Sequence, residues 1–228
     1  MTTEKFKYGR TPHFPWSPGI TNDDRVMKLG DISRNFSGKK LAVTLKMDGE
    51  CTSAYTSDGY SHARSINSEH DESKSFFKRF WAERFFLTDK ILRVNGENLF
   101  AKHSIHYKNL DSFFYSFSIF DENNYRLDWV EFEEMCETLN ILHVPVLKII
   151  TADESGEWMK DVKKIFDNVV SSGEEGVVVT TLEGYHYDDF SKNIIKAVRE
   201  NHVKTDKHWK KTKIIPNEIS NVANEKYI

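Results

Sequence analysis

The sequence predicts an α+β fold of mainly antiparallel sheets flanked by helices. Three observations lead there. Short runs rich in Val, Ile, Phe and Tyr recur along the chain, as strands require. Other runs space bulky apolar residues at helical intervals. The two kinds do not alternate strictly, as a doubly wound parallel sheet would demand. The 228 residues are 39% hydrophobic and 13% aromatic, with 11 Gly and 5 Pro, enough to bury the core of one large domain.

Residues 41–46 alternate and then meet Asp48-Gly49, and residues 50–56 alternate again toward Asp58-Gly59. These read as strands joined by tight Asp-Gly turns. Further strands are expected over 91–94, 99–105, 112–120, 143–150 and 176–181. A helix is expected over 73–86, where Phe76, Phe77, Phe80 and Trp81 make a bulky stripe. Asp128 is the expected N-cap of a second helix over 128–140, and residues 158–170 and 188–201 supply two more.

Charge excludes a polycation that coats nucleic acid everywhere: 32 Lys and Arg stand against 35 Asp and Glu, for a net charge of -3. A nucleic-acid site must therefore be local. Residues 192–213 hold eight basic and two acidic side chains, with His208 and Trp209 among them, and either a solvated face or a phosphate-binding surface explains them. Cys51 and Cys136 are too few for a disulfide framework, and no CxxC pair starts a zinc site. His103 and His106 have no third ligand at a suitable spacing. With no signal-peptide pattern and no apolar run of about 20 residues, the expectation is a soluble, cytoplasmic protein.

Five places carry residue types suited to phosphate chemistry. Lys46 ends an apolar strand just before a turn, where a lysine amine held in a suitable pocket becomes a nucleophile. Gly96-Glu97-Asn98-Leu99 offers a carboxylate in a turn for a ribose hydroxyl, and one of the aromatics Phe117 and Phe120, before Asp121, offers a face to a purine. Glu174-Glu175-Gly176 runs into Val177-Val178-Val179, a carboxylate at the mouth of a buried strand where a divalent metal could sit among phosphates. Lys196 and Arg199, on a helix or strand, could neutralise a triphosphate. Taken singly, each also fits an ordinary turn, core aromatic or solvated charge.

In this order the segments resemble the covalent nucleotidyltransferase superfamily of ATP-dependent ligases and mRNA capping enzymes. Lys46-Met47-Asp48-Gly49 matches the nucleophile motif KxDG, and Ser61-His62-Ala63-Arg64-Ser65 the arginine motif. Gly96-Glu97, Phe117 to Asp121, Glu175-Gly176 and Lys196 match the GE, aromatic, EG and final basic motifs. KxDG alone is weak, whereas six motifs in order are specific. The chain is most similar to the RNA ligases of the RNA-ligase-2-like branch. It departs from them at Cys51, where the branch usually has Asn, at Leu45, where many relatives are acidic, and at Val198, where a second basic residue usually falls and Arg199 substitutes.

The resemblance implies a nucleotidyltransferase (adenylation) domain with an ATP-grasp-like ligase core over residues 1–205 and a short basic tail over 206–228; the 32 residues after Lys196 are too few for an OB-fold domain, so none is expected. It implies ATP and Mg2+ as cofactors. Lys46 would form a lysyl-AMP, the AMP would pass to an RNA 5′-phosphate, and a 3′-hydroxyl would seal the strand. Arg64 would contact ribose or phosphate, Glu97 the ribose, Phe120 (or Phe117) the adenine, and Asp48 the turn or the metal water. Glu175 would bind metal, Lys196 would touch the α-phosphate, and Arg199 would be the second basic residue of that motif on the nucleotide. The partners implied are RNA ends, acted on by a monomer. Lys204 to Lys213 would serve as the RNA surface, so Ala at Lys207, Lys210 and Lys211 should weaken RNA binding and flatten its salt dependence. A DNA-ligase-like or other adenylyltransferase fits the same residues, and so does a catalytically decayed nucleotide or RNA-end binding protein.

Overall fold

The computed structural model describes residues 4–67, 71–200 and 214–228. In chain order the helices are α1 (Leu29–Phe36), α2 (Glu72–Ala82), α3 (Trp129–Thr138), α4 (Trp158–Ser171) and α5 (Phe190–Asn193). The strands are β1 (Lys40–Lys46), β2 (Glu50–Tyr55), β3 (Ser61–Ala63), β4 (Arg93–Asn98), β5 (Phe114–Phe120) and β6 (Tyr125–Arg126). They continue with β7 (Leu142–His143), β8 (Val146–Thr151), β9 (Gly176–Thr181), β10 (Tyr185–His186) and β11 (Ile194–Val198). The fold is mixed α+β, with antiparallel sheets flanked by helices. Two compact units divide it, one drawn from residues 1–8, 48–143 and 205–228, the other from 9–47 and 144–204.

In the unit that contains β1, four antiparallel strands run in the order β11-β9-β1-β8. Alternation turns Leu41 and Val43 to one face, where they join Val177, Val179, Ile195 and Ala197 beneath Trp158, Val162 and Phe166 of α4 and Ile32 and Phe36 of α1. Burying each large side chain contributes about 1.5–3 kcal/mol. The same alternation sends Ala42, Thr44 and Lys46 to the opposite face.

In the other unit, β6-β5-β4-β2-β3 are antiparallel and β7 runs parallel to β5. Asp71 caps α2 by accepting from Lys74 N, and α2 lays Phe77 4.8 Å from Phe114 of β5. Trp81 Nε1 donates to Tyr55 O at 3.1 Å. The expected cap of α3 forms as a capping box between Asp128 and Glu131. On that helix burial pushes the Cys136 thiol up to about 12, so it is an inert core residue. No helix among the described residues is long and apolar enough to cross a membrane.

Several elements differ from the sequence expectation. Asp48-Gly49 does not close a hairpin, because β1 pairs with β8 and β9 while β2 pairs with β3 and β4. Asp58-Gly59 does close one, between β2 and β3, with Gly59 at φ 66. Gly96-Glu97 lies inside β4, not in a turn. A Cβ at Gly96 would meet the Phe114 ring at 2.3 Å, so glycine serves close strand packing there. Residues 99–105 form no strand. The expected strand over 143–150 breaks at Pro145, which has no amide to donate. The helix expected over 188–201 becomes a short 3-10 turn, α5 and then β11, because pairing with β9 overrides local propensity. Nothing in the sequence marks α1: Lys28 precedes it without any side-chain cap.

Arg84, just past α2, shows how a buried charge holds this unit. It donates to the backbone oxygens of Phe80, Asn140, Lys226 and Ile228 at 2.8–3.3 Å and is 4% exposed. Arg84→Met should cost about 2–4 kcal/mol by leaving these acceptors without donors. Denaturant unfolding checks this, and a loss under about 1 kcal/mol would contradict it.

Candidate active site

Lys46 is the last residue of β1. The β1–β9 register pairs it with Gly176 and pairs Thr44 with Val178, and the β9–β11 register pairs Val178 with Lys196. Residues paired directly across strands share a face, so Lys46, Thr44, Val178 and Lys196 line one surface of the sheet. Lys46 Nζ lies 2.7 Å from Glu175 Oε2, with the two side chains 21% and 5% exposed. Glu175 is held from its backbone as well, since its carbonyl accepts from Arg199 N at 2.9 Å.

Gly176 makes this approach possible. Its φ is 156, and a Cβ there would sit 2.1 Å from Ala197 O. Only glycine lets β11 come this close to the start of β9 while the preceding carboxylate turns to Lys46.

The outer edge of β11 is pinned by the N-terminal segment. Lys196 N donates to Pro12 O at 2.9 Å, Phe14 N to Lys196 O at 2.8 Å, and Val198 N to Ser17 Oγ at 3.0 Å. Behind Ser17, His13 Nδ1 stands 3.1 Å from its hydroxyl, and His13 Nε2 3.4 Å from Asp24 Oδ1. Burial pushes the Asp24 carboxyl up, but hydrogen bonds from Thr21 and the charges of His13 and Lys196 outweigh it and hold the group below its ordinary value. Its contribution to stability is therefore present above the ordinary carboxyl range and is lost as pH falls through the lowered value.

The other unit carries the rest of the motif. Asp48 is 7% exposed, and its Oδ2 accepts from Ser104 N, Ser104 Oγ and Ile105 N, each at 2.7 Å. Asp48 N donates to Tyr107 Oη at 3.0 Å, and Gly49 N to Glu97 Oε1 at 3.1 Å. Cys51 on β2 is paired directly with Glu97 on β4. Glu50 lies 4.0 Å from Lys74.

The remaining candidates differ in accessibility. Arg64 is exposed just past β3. Phe120 is fully buried, with the Arg93 guanidinium 4.5 Å from its ring centre. Phe117 is half-buried, its ring 4.8 Å from that of Tyr8. Lys196 and Arg199 are half-buried on and after β11. Lys204 to Lys213, expected to contact RNA, lie outside the described residues.

Sequence reasoning missed the polar groups that support the motif. Ser104, Ile105 and Tyr107 secure Asp48 mostly through backbone amides and one phenol, which have no residue signature. Ser53, Asn95 and Ser118 form a buried cluster on β2, β4 and β5, with Ser53 Oγ donating to Asn95 Oδ1 at 2.8 Å. In sequence these look like ordinary strand residues.

Chemically, an amine in a half-buried ion pair is fixed in position and charged until its proton leaves. Among the described residues no group of three His, Cys, Asp or Glu side chains could by itself hold a metal ion. The donor beside Lys46 is the buried carboxylate of Glu175, which fits a hard cation that takes most of its oxygens from a nucleotide's phosphates and water.

The fold recurs in solved RNA ligases. A Naegleria gruberi RNA ligase mutant with AMP and Mn is 21% identical, with a TM-score of 0.52, covering 85% of this chain and 60% of that one. A mutant of the same ligase with ATP and Mn is 21% identical, with a TM-score of 0.51 and the same coverage. An archaeal ATP-dependent RNA ligase is 17% identical, with a TM-score of 0.53, covering 82% of this chain and 48% of that one. This chain thus spans about three fifths of the length of the Naegleria chains and about half of the archaeal one. Among curated proteins none matches in sequence. The RNA ligase family model matches residues 39–198 of the 228, most of both units' sheet strands, and the chain belongs to the RNA ligase family.

Proposed function

We propose that the protein is an ATP-dependent RNA ligase that joins 5′-phosphate and 3′-hydroxyl ends through a lysyl-AMP. The observation that carries this is the pairing of Lys46 with Glu175 at 2.7 Å on a strand end, in a chain of the RNA ligase family. The Naegleria structures with ATP, AMP and Mn support nucleotide and divalent-metal use.

In the proposed first step, Lys46 Nζ gives up its proton and attacks the α-phosphorus of ATP. An N–P bond forms, the P–O bond to pyrophosphate breaks, and AMP stays on the lysine. A 5′-phosphate oxygen of an RNA end then attacks that phosphorus, breaking the N–P bond and returning the lysine amine. A 3′-hydroxyl attacks the 5′-phosphorus, expelling AMP as the strand is sealed, with the amine and hydroxyl protons passing to solvent. Each step is an in-line displacement, so positioning and charge neutralisation dominate. Mg2+, held through Glu175, would supply charge neutralisation at the phosphates.

The chain's own groups divide the remaining work. Glu175 orients the Lys46 amine, and Lys196, on the same sheet face, places a cation toward the α-phosphate, with Arg199 just past β11 as the second basic group. Glu97 would take a ribose hydroxyl, and Arg64 the ribose or a phosphate. Of the two aromatic candidates, half-buried Phe117 rather than fully buried Phe120 is the one we assign to adenine, because a stacking face must be reachable. A reducing, cytoplasmic compartment fits a chain whose two cysteines are too few for a disulfide framework.

A sealing assay tests this reading. A nicked duplex with a 5′-phosphorylated RNA strand should be joined with ATP and Mg2+ by the wild-type protein and not by Lys46→Ala. Joining of DNA but not RNA would overturn the RNA assignment, and joining of neither would overturn the ligase reading.

A further inference from the structure

We propose that Asn217 is a positioning residue for the Asp48 turn, acting through the loop of residues 99–110; as a statement about catalysis this rests on the ligase reading above. Asp48 stands two residues after Lys46 in the chain, and the donors to its Oδ2 come from Ser104 and Ile105. That loop has no strand or helix of its own to hold it.

What holds it is the C-terminal segment. Asn217 is 3% exposed. Its Nδ2 donates to Leu99 O at 2.7 Å and Ala101 O at 3.4 Å, and its Oδ1 accepts from Tyr107 N at 2.9 Å. One side chain thereby ties the two ends of the stretch that carries Ser104 and Ile105. The backbone adds parallel support: Lys102 N donates to Ile215 O, Asn217 N to Phe100 O, Glu218 N to Tyr107 O, Leu110 N to Glu218 O and Ser220 N to Leu110 O, at 2.7–3.0 Å. Tyr107, whose amide Asn217 accepts, also receives the Asp48 amide on its phenol oxygen. The path from Asn217 to Asp48 therefore runs through either Tyr107 alone or the Ser104-Ile105 pair.

A loop fixed in this way keeps the aspartate of the nucleophile motif in one place. Released, the loop would retain its sequence but lose the geometry of three donors on one oxygen. The cost would fall on the orientation of the turn after Lys46, and hence on the rate of AMP attachment at saturating ATP rather than on the ATP concentration for half-saturation.

Hydrogen–deuterium exchange of Asn217→Ala against the wild type tests the coupling without any activity. The amides of Asp48, Ser104 and Ile105 should exchange about tenfold faster or more, as expected when a buried bonding group is removed and the local opening free energy falls. Val94 and Ile119, fully buried and paired across β4 and β5, should be unchanged. Asn217→Asp keeps the acceptor for Tyr107 N but sets a carboxylate oxygen against the carbonyls of Leu99 and Ala101, so it should raise exchange at the same amides at least as much as Ala, while unchanged exchange at Val94 and Ile119 shows that each variant is folded. Unchanged exchange at Ser104 and Ile105, or an equal rise throughout the unit, would overturn the proposal. Kinetically, Asn217→Ala and Ser104→Ala together should slow AMP attachment by less than the product of their separate effects. A full product would mean that Asn217 does not act through Ser104. If the wild type takes up no AMP at all, the ligase reading fails while the exchange pattern still decides the clamp.

Discussion

Lys46→Arg should keep the fold and lose AMP attachment entirely. The guanidinium carries the same charge and can still pair with Glu175, so the carboxylate, 5% exposed, keeps a cationic partner. It cannot, however, give up a proton near neutral pH and so cannot act as the nucleophile. Lys46→Ala differs in a useful way. It removes the partner and leaves a buried carboxylate uncompensated, at a cost of about 3 kcal/mol or more. The melting temperature should therefore fall in Lys46→Ala and stay within a few degrees of wild type in Lys46→Arg, while both are inactive. Nucleotide attachment surviving in Lys46→Arg would place the nucleophile elsewhere.

Gly176→Ala should be as damaging, for a backbone reason. The added methyl would lie 2.1 Å from Ala197 O and 3.0 Å from its carbonyl carbon, both main-chain atoms that cannot rotate away. Relief requires β9 and β11 to separate at the point where Gly176 is paired with both Lys46 and Val198. A loss of about 3 kcal/mol, near the upper range of single substitutions, would lower the melting temperature by roughly 6–12 °C in a chain of this size. The Lys46–Glu175 pair would be displaced with it. Gly30→Ala is the matched control: it sits in α1 with nothing within 4 Å of the added methyl, and should be neutral or slightly stabilising. Equal melting temperatures for the two variants would contradict the packing described at Gly176.

The contrast between these glycines shows what sequence can and cannot convey. Gly176 was legible as part of a motif, and β9 begins where the Val run predicts it. β1, β5 and α3 also lie close to their expected spans, because alternation, aromatic density and an Asp N-cap are local signals. The hairpin expected at Asp48-Gly49 does not form, because an Asp-Gly pair after an alternating strand looks the same whether the next strand pairs back or joins another sheet. Partner choice is a long-range property. Gly96-Glu97 reads as a turn in sequence, whereas the glycine there accommodates the Phe114 ring and a shift in register between β4 and β5. β11 was hidden inside a helical reading since only pairing with β9 and with Pro12 and Phe14 makes it extended.

The candidate site was legible to the extent that it consists of side chains with distinctive chemistry. Lys46, Glu175 and Lys196 are such residues, and the structure gives two of them a direct contact and all three a common strand system. The clamp on Asp48 was not legible, because its donors are mainly backbone amides of Ser104 and Ile105 and its support is an unremarkable asparagine more than a hundred residues further along the chain.

The most direct test of the proposed chemistry is the intact mass of the purified protein after treatment with pyrophosphate, removal of nucleotide, and incubation with ATP and Mg2+. A gain of one adenylyl group in the wild type, absent from Lys46→Arg carried through the same steps, is the predicted result. No gain in the wild type, or an equal gain in the variant, would contradict the assignment of Lys46 as the residue that carries AMP.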